Sequence, residues 1–237
     1  MKAVILAGGR GTRLRPFTTV LPKPLMPLGD VPVIELIIRQ LAHCGYRDII
    51  LSVGYLAELL RAYCGDGRRW DVTITYSHEE QPLSTIAPLT LIRDELTETF
   101  LVMNGDVLSD LDFRAFEAFH KQHGGLATVA AARREVTIDF GVIHTDPDGR
   151  IVNFLEKPRY DYVVSMGVNL FEPEILQYLP NSGKPFGFDN LMYALTRNHA
   201  RVYTYPHEGF WLDIGRLEDY EKAVNEYDSR WRHLLKA

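Results

Sequence analysis

The stretch Leu6-Ala7-Gly8-Gly9-Arg10-Gly11-Thr12-Arg13-Leu14-Arg15-Pro16, followed by Pro22-Lys23-Pro24, decides how the rest of this 237-residue chain is read. Three glycines within four positions let the backbone approach a ligand closely and aim its N–H groups at an anion, which Cβ atoms would obstruct. Charge is distributed to match. Residues 1–29 hold no Asp or Glu but carry Lys2, Arg10, Arg13, Arg15 and Lys23, in a chain whose net charge is −5. Lys2-Ala3-Val4-Ile5-Leu6 has the apolar run of a buried strand, so the glycines fall where its carboxyl end opens into a loop. Ligands of open α/β sheets bind at that end. Gly-Gly also marks ordinary tight turns, and it is the position after the strand that favours a polyphosphate. The P-loop Gly-Lys-Ser/Thr is missing, and the third glycine of the dinucleotide fingerprint would fall at Arg13. A different nucleotide-binding design is implied.

Strand-like and helix-like segments alternate from there, the pattern of a doubly wound, mostly parallel sheet. Val33 to Cys44 has Ile34, Ile37, Ile38 and Leu41 at helical spacing, with Gly45 beyond as a C-cap. Asp48–Val53 reads as a strand, Ala57–Cys64 as a helix, Val72–Tyr76 as a strand, and Phe100–Met103 as a buried strand. In the second half Phe113–His123 reads as a helix and Leu126–Ala132 as a strand. The Asp146-Pro147-Asp148-Gly149 turn joins two strands, the second being Ile151–Leu155. Val163–Phe171, Arg201–Tyr205 and Gly209–Leu212 are further strands, and Glu218–Leu235 is an amphipathic terminal helix. That helix would serve a homodimer through Tyr220, Trp231 and Leu234, or fold back on its own chain with the same pattern.

Asn104-Gly105-Asp106 follows the run Phe100-Leu101-Val102-Met103 and puts a carboxylate at the mouth of a buried strand. Asp after Gly is a common turn residue; facing a basic phosphate loop, however, it needs a cation between itself and the phosphates. Magnesium meets that need, since it shares hard oxygen ligands with phosphate. Asp213, after Trp211-Leu212, is a second carboxylate at a strand end. Glu156-Lys157-Pro158 closes the strand Ile151–Leu155, where a Glu-Lys pair is ordinarily a solvated ion pair.

Gly8-Gly9-Arg10-Gly11-Thr12-Arg13-Leu14 with Pro22-Lys23-Pro24-Leu25 resembles the signature of the sugar-1-phosphate nucleotidylyltransferases. The resemblance continues through Asn104-Gly105-Asp106, Phe140-Gly141-Val142, Glu156-Lys157-Pro158, Met166-Gly167-Val168-Asn169 and Trp211-Leu212-Asp213-Ile214-Gly215, in the family's order and over nearly the whole length. It implies a single Rossmann-like α/β domain of the nucleotide-diphospho-sugar transferase type. Residues 1–110 would hold the nucleotide and 111–237 the sugar phosphate. It implies transfer of a nucleoside monophosphate from a nucleoside triphosphate to a sugar 1-phosphate, with Mg2+ held by Asp106 and Asp213. Leu6, Gly8, Gly9, Gly11, Thr12, Gln81, Ser84 and Thr85 would line the nucleotide, and Gly141, Glu156, Lys157 and Asn169 the sugar phosphate. Arg13, Lys23, Asp106 and Lys157 would carry the catalysis.

Where many family members have Leu-Gly-Thr-Ala-Gly, this chain has Leu83-Ser84-Thr85-Ile86-Ala87, which leaves the base open. The wording of the motifs favours GTP with a manno-configured sugar. Two other readings compete: a non-catalytic, regulatory nucleotide-sugar-binding relative, and a cytidylyltransferase acting on phosphocholine through a cage of Tyr160, Tyr162 and Trp211. The acidic net charge speaks against nucleic-acid binding. No apolar run has the length of a membrane span and no signal peptide opens the chain, so a cytoplasmic enzyme is expected. Cys44 and Cys64 read as reduced thiols. The sequence ends soon after its last helix, and one activity is expected of it.

Overall fold

The computed structural model describes residues 1–180 and 183–231. In chain order the elements are β1 (Lys2–Ala7), β2 (Pro27–Leu28), β3 (Val31–Pro32), α1 (Val33–His43), β4 (Asp48–Val53), α2 (Ala57–Cys64), β5 (Thr73–His78), β6 (Phe100–Asn104) and β7 (Val107–Ser109). The second half adds α3 (Phe113–His123), β8 (Ala127–Thr137), β9 (Val142–Thr145), β10 (Ile151–Leu155), β11 (Arg159–Phe171), α4 (Phe188–Arg197), β12 (Val202–His207), β13 (Trp211–Asp213), α5 (Leu217–Asn225) and α6 (Tyr227–Arg230).

Seven strands form one sheet in the order β12-β8-β11-β6-β1-β4-β5. Only β11 runs against its neighbours; β6, β1, β4 and β5 are parallel, as are β8 and β12. Near-continuous apolar strands are what a sheet covered on both faces requires. Alternate residues of β1 serve the two sides: Ala3 and Ile5 join a core with α1, α2 and α3, and Val4 joins a second core with Leu89, Ile175 and Leu191. The chain leaves β1 toward β4 on one side and returns to β6 on the other, which opens a crevice at the carboxyl ends of β1 and β6. Such switch points are where this architecture binds ligands.

Three sequence expectations change. Strands β8 and β11 run well past the predicted Leu126–Ala132 and Val163–Phe171, pairing Arg133 with Val163 and Thr137 with Arg159. Arg133, Arg134, Glu135, Arg159 and Asp161 interrupt the apolar pattern by which a buried strand is recognised, because this ribbon stands in solvent. With the β9–β10 hairpin it forms an arm in which no residue from 133 to 165 is buried. The predicted helix Glu218–Leu235 breaks at Glu226 into α5 and α6, and its residues 232–235 lie outside the described residues. Trp231, offered for a dimer contact, is 2% exposed and packs edge-on against Phe210. Tyr220 donates its hydroxyl to the Pro27 carbonyl at 2.6 Å, so the terminal helices fold back on their own chain. Both cysteines are free thiols, and burial pushes Cys64 up to about 12.

Helix α3 starts where Asp112 accepts hydrogen bonds from the N–H groups of Arg114 (2.9 Å) and Ala115 (3.1 Å). It ends at Gly124 in the left-handed conformation. Asp112→Ala leaves those donors without their side-chain acceptor and is expected to cost about 1 kcal/mol, read as a lower melting temperature with an unchanged far-UV spectrum.

Candidate active site

The loop after β1 folds back on itself through Gly11, whose φ of 59° lies in the left-handed region. A Cβ there would meet Thr18 Cγ2 at 2.9 Å and Lys23 Cβ at 3.4 Å, so glycine is required by both conformation and space. Thr18 Oγ1 donates to the Gly11 carbonyl at 2.7 Å, and Leu14 N–H donates to the same carbonyl at 2.9 Å. Beyond β6, Gly105 N–H donates to the Leu6 carbonyl at 2.9 Å. A side chain at Gly105 would crowd Leu6 O (3.0 Å) and Pro24 Cγ (3.2 Å). That close approach places Asp106 beneath the glycine loop.

Lys23 is ion-paired with Asp106 Oδ2, and its Nζ is 3.6 Å from Asp213 Oδ1. Asp213 is brought in by β13, which pairs antiparallel with β7 so that Asp213 stands opposite Val107. Ile214 N–H ties this turn to the Asp106 carbonyl at 3.0 Å. Gly215 follows, where a Cβ would meet Arg13 Nη2 at 3.2 Å and Asp213 Oδ1 at 3.3 Å, so Arg13 closes the same cluster. Four charged residues far apart in sequence thus converge at the switch point. Burial raises the Asp106 carboxyl above its ordinary value; Lys23 opposes that shift and the Asp213 charge adds to it. Asp106 Oδ1 and Asp213 Oδ1 are buried oxygens without a hydrogen-bond donor. Two carboxylates with orphaned oxygens beside a phosphate-sized loop suit Mg2+, which takes one or two protein carboxylates and completes its shell with phosphate and water.

Two cavities share Leu6. One is lined by Gly9, Gly11, Thr12, Arg13, Lys23 and Asp106 among others, the other by Thr85, Asn104, Asn169, Phe188, Trp211 and Asp213 among others. Asn169 is 5% exposed and its Oδ1 has no partner, leaving an acceptor in the wall of the second cavity. Gly141, Glu156 and Lys157 do not line either cavity; they sit on the arm, with a Cβ on Gly141 meeting Glu156 Oε2 at 3.4 Å. Lys157 has a φ of 43°, left-handed for a residue with a side chain. Of the proposed aromatic cage only Trp211 lines a cavity, its Nε1 donating to the Met166 carbonyl at 3.0 Å, while Tyr160 and Tyr162 stand on the arm.

Gln81 is exposed, and Glu79 takes the place beside the glycines. Ala7, Val53 and His78 are in register across β1, β4 and β5, so Gly8, Gly54 and Glu79 follow side by side. The Glu79 carboxylate lies against Gly8, leaving no room there for a Cβ. It accepts from Leu83 N–H at 3.0 Å and from Ser52 Oγ at 3.4 Å. Nothing local in the sequence sets Glu79 apart from Glu80; strand register is the signal that singles it out. Ser84 keeps a left-handed φ of 71°. The altered loop is tied to the segment before α4: Ile86 and Ala87 N–H donate to the Phe186 carbonyl, and Phe188 N–H donates to Thr85 Oγ1 at 2.9 Å.

Residues 2–230 match the nucleotidyl transferase family. The chain belongs to that family. It is 36% identical over 234 residues to the zebrafish (Danio rerio) mannose-1-phosphate guanylyltransferase catalytic subunit beta, covering 96% of this chain and 64% of the relative. It is 34% identical over 249 residues to the UTP–glucose-1-phosphate uridylyltransferase of Synechocystis sp., covering 97% and 64%. The chain therefore spans just under two thirds of the length of these relatives. The fold matches the crystal structure of HddC from Yersinia pseudotuberculosis with a TM-score of 0.74 at 24% identity, covering 95% of this chain and 99% of that one. This nucleotidyl transferase fold is the α/β, mostly parallel arrangement expected from the sequence.

Burial raises the Glu79 carboxyl above 4.5, so the fold disfavours its ionised form. The stabilising contribution of the protonated group is present below the unfolded value and lost as pH rises through the folded one. Glu79→Gln is expected to melt no lower than the parent at neutral pH, with the difference shrinking as pH falls toward the carboxylate range. A variant that melts lower at neutral pH would assign the charge a stabilising role instead.

Proposed function

We propose that this chain transfers a nucleoside monophosphate from a nucleoside triphosphate to a sugar 1-phosphate, releasing pyrophosphate and forming a nucleoside-diphosphate sugar. The observation that carries the reading is the convergence of Lys23, Asp106, Asp213 and Arg13 under the glycine loop. An oxygen of the sugar phosphate forms a bond to the α-phosphorus, and the bond from that phosphorus to the bridging oxygen of pyrophosphate breaks. A phosphate monoester with its second pKa at ~6 is already largely ionised at neutral pH, so neither a protein nucleophile nor a general base is needed. The protein's task is alignment and charge neutralisation.

Backbone N–H groups of the Gly8–Thr12 loop and the Arg13 guanidinium receive the β- and γ-phosphates. Lys23 neutralises charge on the α-phosphate and on the leaving pyrophosphate. Lys23 compensates the two carboxylates, and Mg2+ held by Asp106 and Asp213 would leave that ammonium free to face the substrate phosphates. Mg2+ supplies there the cationic charge that lets carboxylates and phosphates share one site. Asn169 addresses sugar hydroxyls from the cavity wall, and Gly141, Glu156 and Lys157 address the sugar phosphate from the arm. The presence of every residue named for catalysis supports the enzyme over the regulatory reading, which only the altered Ser84–Ala87 loop favours.

We assign GTP and a manno-configured sugar as substrates. In support, several similar relatives are named mannose-1-phosphate guanylyltransferases. Glu79 adds a physical reason: a carboxylate accepts from two adjacent donors, as guanine offers on its pairing edge, whereas uracil and thymine offer one. A cytoplasmic homodimer completes the proposal, and none of the helices among the described residues is long and apolar enough to cross a membrane.

Pyrophosphate release with Mg2+ is measured for GTP, UTP, dTTP, CTP and ATP, each against mannose, glucose and heptose 1-phosphates. GTP with mannose 1-phosphate is expected to be the productive pair, and absence of release from every pair would overturn the enzyme. Removing a preorganised electrostatic contact costs about 3–4 kcal/mol of barrier. Lys23→Ala and Asp106→Ala are each expected to lower turnover by about a hundredfold or more, while Glu79→Gln narrows the preference for GTP over UTP without that loss.

A further inference from the structure

At the amino ends of β4 and β5 lies a groove of about 450 Å3 lined by Arg39, His43, Arg47, Arg68, Arg69 and Asp71 among others. Gly8 and Glu79 follow the carboxyl ends of the same sheet. The groove is therefore separated from the candidate active site by the length of a six-residue strand, roughly 20 Å. Four guanidiniums meet there in a chain whose net charge is −5. Their carboxylate partners are Glu35, Asp66 and Asp71, so positive charge is left over.

Three of the four are ordered by the protein itself. Arg39 donates through Nε and Nη2 to Glu35 Oε1 at 2.9 and 2.8 Å. Arg69 stacks with its Cζ 3.8 Å from the Trp70 ring centre and 4.3 Å from that of Tyr63. Arg47 Nη1 donates to the Ala42 carbonyl in the last turn of α1 at 3.0 Å. A guanidinium has five N–H donors, so each keeps some for a ligand. The other contacts, Arg47 with Asp71 at 3.6 Å and Arg68 with Asp66 at 3.0 Å, are exposed ion pairs of a kind that contributes little and exchanges readily.

We propose that this groove binds a small anion carrying two or more phosphate groups. Planar guanidinium forks match phosphate oxygens bidentately, and forks already held in place lose little freedom on binding. One phosphate presents three acceptor oxygens, too few for four guanidiniums, whereas two phosphates together can engage them all. The volume is that of a small-molecule site. Helix α1 joins the two ends of the molecule: Val33 N–H donates to the Met26 carbonyl beside the Lys23 loop at 3.1 Å, and His43 lines the groove. Pyrophosphate has the required chemistry, and as the released product it would meet the enzyme at a second place. That consequence rests on the proposed function; the binding itself does not.

Pyrophosphate is titrated into the chain without divalent metal at fixed ionic strength, and the indole N–H signals are followed by NMR. Trp70 lies against Arg69 in the groove and Trp211 lines the candidate active site; Trp70→Phe and Trp211→Phe assign their signals. The Trp70 signal is expected to move saturably, and inorganic phosphate to act more weakly. Arg47→Gln and Arg68→Gln are each expected to weaken the Trp70 response about tenfold while leaving that of Trp211 unchanged. Arg68 is 90% exposed, so its variant should melt with the parent. Arg39→Lys keeps the charge, loses the fork and is expected to bind more weakly. Arg197→Gln, at an exposed position on α4, should bind as the parent does. A Trp70 signal that stays still, ignores both groove variants, or moves as far with sulfate would overturn the inference, as would tighter binding of single-stranded RNA than of pyrophosphate. Failure of the enzyme reading would leave the Trp70 results unchanged.

Discussion

The Lys23 ammonium, held between two carboxylates, is the interaction on which the arrangement of this molecule depends. Asp106 is desolvated enough that burial raises its carboxyl, with Asp213 adding its own charge to the same small volume. Burying one such charge without compensation costs several kcal/mol. One cation, ion-paired with Asp106 and 3.6 Å from Asp213, makes the cluster tolerable. The compensation is incomplete, since one oxygen of each carboxylate lacks a hydrogen-bond donor. That deficit favours a further cation. That arrangement supports the proposed placement of a divalent ion between the two carboxylates.

The sheet topology exists, in functional terms, to assemble those charges. Lys23 comes from the loop after β1, Asp106 from the end of β6 and Asp213 from β13, and these segments meet because β1 and β6 are neighbours on either side of the chain's reversal. Gly105 permits the meeting by letting its backbone lie on the Leu6 carbonyl. The β13–β7 pair then clamps Asp213 onto the same corner through Ile214 and the Asp106 carbonyl. Positioning is therefore done by backbone hydrogen bonds, whose geometry leaves a long lysine side chain little freedom to choose another partner.

What the sequence disclosed follows from which forces write themselves locally. Strands β1, β4 and β6 are covered on both faces, so their residues form unbroken apolar runs, and the helices α1 to α3 show their periodicity and caps. Glycines and prolines around Lys23 announce the loop because conformation is a one-residue property. Glu79 was hidden because its meaning comes from register across three strands. The outer parts of β8 and β11 were hidden for a different reason: cross-strand pairing in solvent needs no hydrophobic alternation, so charged residues there look like a loop. The break at Glu226 depends on Tyr227 and Trp231 turning into the core beneath α5, a tertiary preference that the amphipathic pattern alone does not contain.

The two halves of the candidate site consequently obey different physics. Among the residues proposed for the nucleotide, those of the glycine loop and Asp106 are held by core strands and glycine-dependent contacts, so substitutions there also strain the fold. Of the residues proposed for the sugar phosphate, Asn169 alone is anchored in the sheet, opposite Val102 and Val129, while Gly141, Glu156 and Lys157 ride on an arm with no buried residue. Substitutions on the arm escape the cost of repacking a core. The proposed site is thereby divided: rigid where its charges converge at the switch point, and separable from the core on the arm.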